Sequence, residues 1–433
     1  MNLIKLNNYS KLVVGFWIVI IGIGWITSSL FAETQFDTLP LGPSQYKWII
    51  DKVEKDQIMQ TSTGKIVSID QIIAMHGDAD VFIIGEAHDN YQCHTFQRDF
   101  IEALYKKYPN IIVGFEFFYR EDNPVLEQWR NGQITEEELI KKTEWYKRGG
   151  LNFGYTRLIT DVIKKYKIKT IGLNVPRNIL RTVSRKGFDN LSPEEKKLFP
   201  TLSIPNVEHE YFIKSIFGTF AVQVPMWFTN VYTAQKCWDV IMAESMRMTL
   251  AQKEFKGFKG VIIAGSNHVS YKLGIPFRYA KADAKAKIVT IVPVLLPEEK
   301  KKDDDTGEET NPMVKALASS LSPAAVFSRG IADYVFSANQ PPYTFFPSIG
   351  FTVDEKENKL TVTQVTKGSI AERYGIREGD EITSVEGTPV TNLEQMRILI
   401  AQKNWDESLS ISVVKKVEIK KFDTDKQEKK ATE

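Results

Sequence analysis

Four short apolar runs, each leading into a polar cluster, constrain this chain more than any other feature. Val81-Phe-Ile-Ile84 runs into Gly85-Glu86-Ala87-His88, and Ile111-Ile-Val113 into Gly114-Phe115-Glu116. Lys169-Thr-Ile-Gly-Leu173 runs into Asn174-Val-Pro176-Arg177, and Val261-Ile-Ile-Ala264 into Gly265-Ser266-Asn267-His268. Ile288 to Leu296 reads as a fifth run. Short, continuous, β-branched runs separated by helical patterns predict buried parallel strands. In open α/β sheets ligands bind outside the carboxyl ends of the strands. If the strands are parallel, all four polar clusters therefore collect on one edge. Glycine at the strand ends lets the backbone turn sharply and leaves room for a ligand. The expected fold class is α/β, with a mostly parallel sheet flanked by helices.

The side chains gathered on that edge are those of metal and acid–base chemistry. Three of the five histidines (His88, His94 and His268) fall in or just after these clusters, and Gln97 follows His94 closely. His88 and His268 share a Gly-x-x-His spacing after a strand, 180 positions apart. Imidazole and carboxylate are the usual ligands of a divalent transition metal, which makes His88, His268 and Glu116 the candidate metal set. A neutral imidazole or a carboxylate serves equally as a general base. His76 and His209 sit outside strand-end contexts and read as surface or structural histidines.

Helix starts lie between the runs. Thr135 with Glu138, and Ser192-Pro193 with Glu195, fit capping boxes. Residues 135–147 and 192–255 are mostly helical in pattern, which suggests a helical subdomain beside the sheet. Gln235 and Asp239, four apart on one predicted helix, share a face that could cover the strand-end crevice. Aromatic residues are dense in 145–166 and 211–238. Such stripes usually build core, although a large flat ligand also needs an aromatic wall.

Residues 33–80 read as a lead-in with little chemistry. Residues 298–311 are charged and lack apolar periodicity, as a solvated loop does. The tail after about residue 417 is rich in Lys, Glu and Asp and reads as disordered.

Before the lead-in, Lys5 and Lys11 precede an uncharged run from Leu12 to Ala32. A positive flank followed by an apolar segment is an export signal or a membrane anchor. Its orientation leaves the body outside the cytoplasm, periplasmic or held at the membrane. Net charge is only +2, so composition makes no case for nucleic acid. Two cysteines, Cys93 and Cys237, exclude a disulfide framework but could pair with each other in an oxidising compartment.

Five ordered blocks make the pattern more specific: GEAHDN-x3-H-x2-Q (85–97), GFEFFYR (114–120), GLNVPR (172–177), AQKCWDVIMAES (234–245) and AGSNHVSYKLGIPFR (264–278). Together they resemble the ChaN-like family of haem-binding uptake proteins, over roughly residues 50–340. The resemblance implies an α/β domain with a flanking helical part that binds haem, or another small ligand, as an iron source. His94, Gln97, Tyr155, Asn174, Arg177, Gln235 and Asp239 are the candidate ligand-binding residues, Tyr155 being a candidate haem ligand. The wider group resembles Tiki and erythromycin-esterase-like proteins, in which paired Gly-x-x-His motifs and a glutamate accompany metal-dependent hydrolysis. That keeps open an alternative, a peptidase-like hydrolase with Glu86 or Glu116 as catalytic carboxylate. A scaffold that has lost the chemistry is a third class, and a homodimer is compatible with each.

Residues 343–417 resemble a PDZ domain. Pro347-Ser-Ile-Gly-Phe351 matches a carboxylate-binding loop, followed by Thr361-Val-Thr-Gln-Val365, Gly368-Ser-Ile-Ala371, Gly379-Asp-Glu-Ile382 and Val385-Glu-Gly387. The backbone N–H groups of Ser348, Ile349, Gly350 and Phe351 would capture a peptide carboxylate, and a strand edge would take the peptide by β-augmentation. A helix from Leu393 to Ala401 would form the other wall, with Ile349, Phe351 and Leu399 around the pocket. The expected partner is the C-terminus of another envelope protein.

Overall fold

Every residue of the first apolar run is buried, and the run becomes strand β4 (Val81–Glu86). The structure, a computed structural model, describes residues 37–297, 324–339, 349–404 and 407–415. The expected export segment, the 298–311 loop, Ser348 and the tail from 418 lie outside the described residues. Among the described residues, no helix is long and apolar enough to cross a membrane.

The other runs form β5 (Ile111–Tyr119), β6 (Lys169–Asn174), β7 (Lys259–Gly265) and β8 (Ile288–Leu295). They join in the order β8-β4-β7-β5-β6, and every pairing is parallel. A further strand, β10 (Tyr334–Ala338), extends the sheet parallel to β8.

The stretch read as a lead-in is part of this architecture. Its strands β1 (Ile50–Glu54), β2 (Ile58–Gln60) and β3 (Lys65–Ile66) precede the first run. β2 pairs antiparallel with β10 and then with β3, while β1 pairs antiparallel with β9 (Ala324–Ser328). The domain also begins before residue 50: Leu41 is buried in the main core, and Asp37 O accepts from Ser328 N. These contacts join the two ends of the domain, so local periodicity does not reveal them.

Strand alternation sets two layers. Ile83 faces the core built on the helices Arg177–Lys186, Val207–Gln223, Pro225–Leu250 and Ile275–Ala282. Phe82 faces the other way, its ring 5.2 Å from Phe100 on the helix Tyr91–Lys107, which packs with Phe153–Tyr166. The long helix Pro225–Leu250 approaches the sheet closely because β5 offers no side chain there. A Cβ at Gly114 would lie 3.0 Å from Met246 Cε and 2.5 Å from Leu173 Cδ2. Both expected capping boxes form: Thr135 and Ser192 accept from the third residue of their helices, and Glu138 and Glu195 reach back. Cys93 and Cys237 do not pair; each is a free thiol buried in its own helix.

The second unit, described by itself, runs from residue 345. Its strands are β11 (Phe351–Lys356), β12 (Lys359–Val365), β13 (Glu381–Val385), β14 (Thr388–Pro389) and β15 (Ile411–Val414). The order is β11-β12-β13-β14, with β15 also on β13 and all pairings antiparallel. The helix Leu393–Ala401 spans the expected residues, and Met396 joins Leu360, Val362 and Ile382 in the core.

Candidate functional site

Glu86, the last residue of β4, is 3 % exposed and would be costly to bury alone. It is instead saturated with partners. Its Oε1 lies 2.8 Å from His88 Nδ1, and its Oε2 accepts from Gln97 Nε2 at 2.8 Å. His94 Nδ1 is 3.7 Å from the same carboxylate, while its Nε2 is 2.9 Å from the His88 carbonyl. Burial alone would push the Glu86 carboxyl up, but the His94 and His88 charges and these hydrogen bonds hold it below its usual value. His94 and Gln97 thus position Glu86. Glu86 in turn holds His88 by Nδ1. Burial would lower the His88 pKa, but the Glu86 hydrogen bond and the Glu116 charge raise it, and in the neutral form of the ring the lone pair lies on Nε2.

Gly265, at the end of β7, makes room for that ring. A Cβ there would lie 2.8 Å from His88 Cε1 and 3.0 Å from Nε2. The His88 side chain is 22 % exposed, and the Phe117 ring meets it edge-on at 4.8 Å. Ser266, which follows Gly265, donates from Oγ to the Glu86 carbonyl at 3.1 Å and ties the two strand ends together.

A second cluster lies beside the first. Glu116 was expected just beyond a strand, but β5 continues through it to Tyr119. The β5–β6 register breaks between Phe115 and Tyr119. Such an irregularity re-aims a side chain. Asn174, the last residue of β6, donates from Nδ2 to the Glu116 carbonyl at 2.6 Å. The carboxylate Oε2 accepts from Gly265 N at 2.7 Å, and Oε1 lies 3.4 Å from His268 Nε2. On the far side of the ring, His268 Nδ1 is 2.6 Å from Asp239 Oδ1. Gln235 lies one helical turn away, its Nε2 3.0 Å from His268 Nδ1. The shared face expected for Gln235 and Asp239 is therefore the one that closes over the strand ends.

Charge follows from this bracketing. Burial alone would lower the His268 pKa, but Glu116 and Asp239 raise it to about 10. Glu116, which burial would raise, is drawn down to about 2, mainly by His268. The two carboxylates thus favour the protonated form of the His268 ring. Among the described residues, no group of three or more His, Cys, Asp or Glu side chains is arranged to hold a metal ion. His88, His268 and Glu116 lie in two linked histidine–carboxylate clusters.

Tyr155 lies behind the first cluster. It is 4 % exposed, with its ring 5.4 Å from that of His94, and burial pushes its phenol well above the usual range, against phenolate formation. Arg177 joins neither cluster; it is exposed at the start of its helix and donates to the Arg148 carbonyl at 2.9 Å.

Two residues join the site without having been singled out. His209, expected to be structural, is wholly buried with Nε2 3.5 Å from Asp239 Oδ2, and burial holds its pKa down at about 4. Arg278, also fully buried, donates to the carbonyls of Thr201 and Ile204, and its charge acts on Asp239. Arg278 closes the block AGSNHVSYKLGIPFR, which was its only signal; His209 had none.

In the second unit, β11 is an edge strand, and the helix Leu393–Ala401 reaches it where Leu393 N donates to Glu355 Oε2 at 2.9 Å. Ile349, Phe351 and Leu399 pack half-buried against the core, as pocket walls would. Gly350 has φ +86°, and a Cβ on it would lie 2.2 Å from Ser369 Cβ.

Residues 72–278 match the family described as haem-binding uptake, Tiki superfamily, ChaN, and residues 347–414 match the PDZ domain. Solved structures similar to the chain include ChaN of Campylobacter jejuni with cofacially bound haem, 19% identical. That match covers 65% of this chain and 95% of that one, with a TM-score of 0.45. An erythromycin esterase mutant in its open conformation is 12% identical, covering 67% of this chain and 99% of its own with a TM-score of 0.39. A Bacillus cereus protein is also 12% identical, covering 63% and 92% with a TM-score of 0.35. No curated protein matches the sequence. Residues 72–278 thus belong to the ChaN-like haem-binding uptake family of the Tiki superfamily, and residues 347–414 are a PDZ domain.

Proposed function

We propose that the chain is an exported, envelope-associated protein whose ChaN-like domain binds haem at the carboxyl ends of β4, β5 and β7. The observation that carries this reading is the cradle around His88. Glu86 holds Nδ1, Gly265 leaves space at Nε2, and Phe117 supplies an aromatic wall. An oriented imidazole beside an apolar surface is what a haem iron and its macrocycle require. Haem would supply an iron centre that accepts an imidazole nitrogen, and His88 is the residue that would hold it. Glu86, His94 and Gln97 keep that imidazole in place. The lysine-flanked N-terminal run supports export.

Haemin titration of the purified full chain, followed at the Soret band, tests this reading. His88→Ala should weaken binding at least tenfold, about 1.4 kcal/mol, and Tyr155→Phe should leave it unchanged. Full affinity in His88→Ala would remove the reading. We further propose that the PDZ groove between β11 and the helix Leu393–Ala401 takes the free C-terminus of another envelope protein, with Ile349, Phe351 and Leu399 favouring an apolar last residue.

A further inference from the structure

Residues 215–235 contain no charged side chain, and Lys214 and Lys236 bound the tract. It runs from the middle of the helix Val207–Gln223, around Val224, into the first half of Pro225–Leu250. Gly218, with φ 55° and ψ −137°, kinks the first arm. At the base of this hairpin the apolar side chains are partnered: the Trp227 ring lies 5.2 Å from Phe217 and 4.8 Å from Phe220. Beyond that base they face outward. Val222 is 66 % exposed, Val224 38 % and Met226 80 %. Clustered exposure of large apolar residues marks an interaction surface.

We propose that this hairpin tip, residues 222–226, docks on a lipid bilayer that carries anionic headgroups. Three observations select that occupant. First, the order of chemistry along both arms is that of an interfacial anchor: apolar tip, aromatic base, then lysine. Lys214 Nζ lies 5.8 Å from the Phe228 ring centre and Lys236 Nζ 4.9 Å from that of Tyr232, so both stems follow apolar surface to a charged end.

Second, the ground beside the tip is basic. The helix Arg177–Lys186 packs on Pro225–Leu250 and ends in Arg185 and Lys186. A Cβ on the next residue, Gly187, would lie 3.4 Å from Asn230 Oδ1, one turn from Met226. Anionic headgroups complement this surface.

Third, the described chain begins beside the first arm. Gly42 N donates to Glu208 Oε2 at 3.3 Å, and Leu39 N to the Tyr271 hydroxyl at 3.0 Å. The Tyr271 ring lies 5.6 Å from Phe212. The described chain therefore starts at the foot of the helix that leads to the tip. Insertion of about 5–10 Å, the depth of an interfacial element, would cover Val222, Val224 and Met226.

The test is site-directed fluorescence on the full chain. Cys93 and Cys237 are buried, so a thiol-reactive, polarity-sensitive dye will report on Val222→Cys and Met226→Cys, with the exposed Glu194→Cys as control. The chain is placed in phosphatidylcholine–phosphatidylglycerol vesicles, with and without nitroxide-labelled lipid. The proposal expects blue-shifted emission at 222 and 226 and its loss to nitroxide lipid, with neither change at 194. Absence of lipid quenching at both tip positions overturns it. A blue shift already present without vesicles also overturns it, since the chain itself then covers the tip. Efficient disulfide formation between two unlabelled Val222→Cys copies, without lipid quenching, overturns it in favour of a second copy.

Discussion

Asp239 Oδ1 lies 2.6 Å from His268 Nδ1, and both side chains are buried. With Glu116 on the other side, the ring's pKa is raised to about 10. A group whose folded pKa is raised contributes stability that is complete below its unfolded value, about 6.5, and is lost as pH rises through the folded value. The wild type should therefore lose stability as pH climbs from about 6.5 past 10. Asp239→Asn removes one of the two carboxylates that pair with the buried ring and leaves Glu116 as its single acidic partner. It should cost on the order of 3 kcal/mol at neutral pH and flatten the alkaline slope. Urea denaturation at several pH values measures both effects, and an unchanged slope in the variant would show that Asp239 does not hold the proton.

His209 has the opposite sign. Burial lowers its pKa to about 4, so the unfolded chain takes up the proton first and stability falls as pH drops from about 6.5 toward 4. Between pH 7 and 5 this single group accounts for about 2 kcal/mol by the linkage relation. His209→Leu should lose that part of the acid dependence while keeping the alkaline slope that belongs to His268. Denaturation midpoints of the two proteins at pH 7 and 5 give the comparison. Parallel loss in both would assign the acid sensitivity elsewhere.

These two histidines also mark how far the sequence could be read. His268 was legible because an apolar run and a glycine place it at a strand end, where period and spacing are local. His209 was not, because its partner Asp239 lies on another helix and meets it only through packing. Glu116 was identified, but the bulge that aims it is set by pairing with β6, which the sequence of β5 does not show. Arg177 follows a strand end by three residues, but it begins a helix that turns it outward toward Arg148, which spacing alone does not show. The strands before residue 80 were missed because their partners, β9 and β10, lie some 270 residues further on.

Gly265→Ala probes the cradle without touching a titratable group. The added Cβ would meet His88 Cε1 at 2.8 Å, backbone against ring, so the imidazole must turn away from its place on Glu86. Haem affinity should fall at least tenfold, about 1.4 kcal/mol, and the Soret maximum of any residual complex should move. Unaltered affinity with an unaltered spectrum would place the ligand away from His88.

Gly350 makes the corresponding point in the PDZ domain. Its φ of +86° lies in the left-handed region, and a Cβ would fall 2.2 Å from Ser369 Cβ. Alanine is therefore both strained and blocked there. The strain alone costs about 1–2 kcal/mol, and relief of the overlap must shift the loop on which Ile349 and Phe351 are carried. Gly350→Ala should lower the melting temperature of the PDZ transition and reduce binding of apolar-ended peptides by at least tenfold. A second variant separates folding from capture. Leu399→Ala opens one half-buried pocket wall, so it should weaken binding several-fold with a smaller thermal shift. The ligand supplies the last control: the same peptide ending in a carboxamide should bind neither variant nor the wild type, because the loop's N–H groups are suited to an anion. Equal affinity for acid and amide would falsify carboxylate capture and leave the domain a role in structural contact.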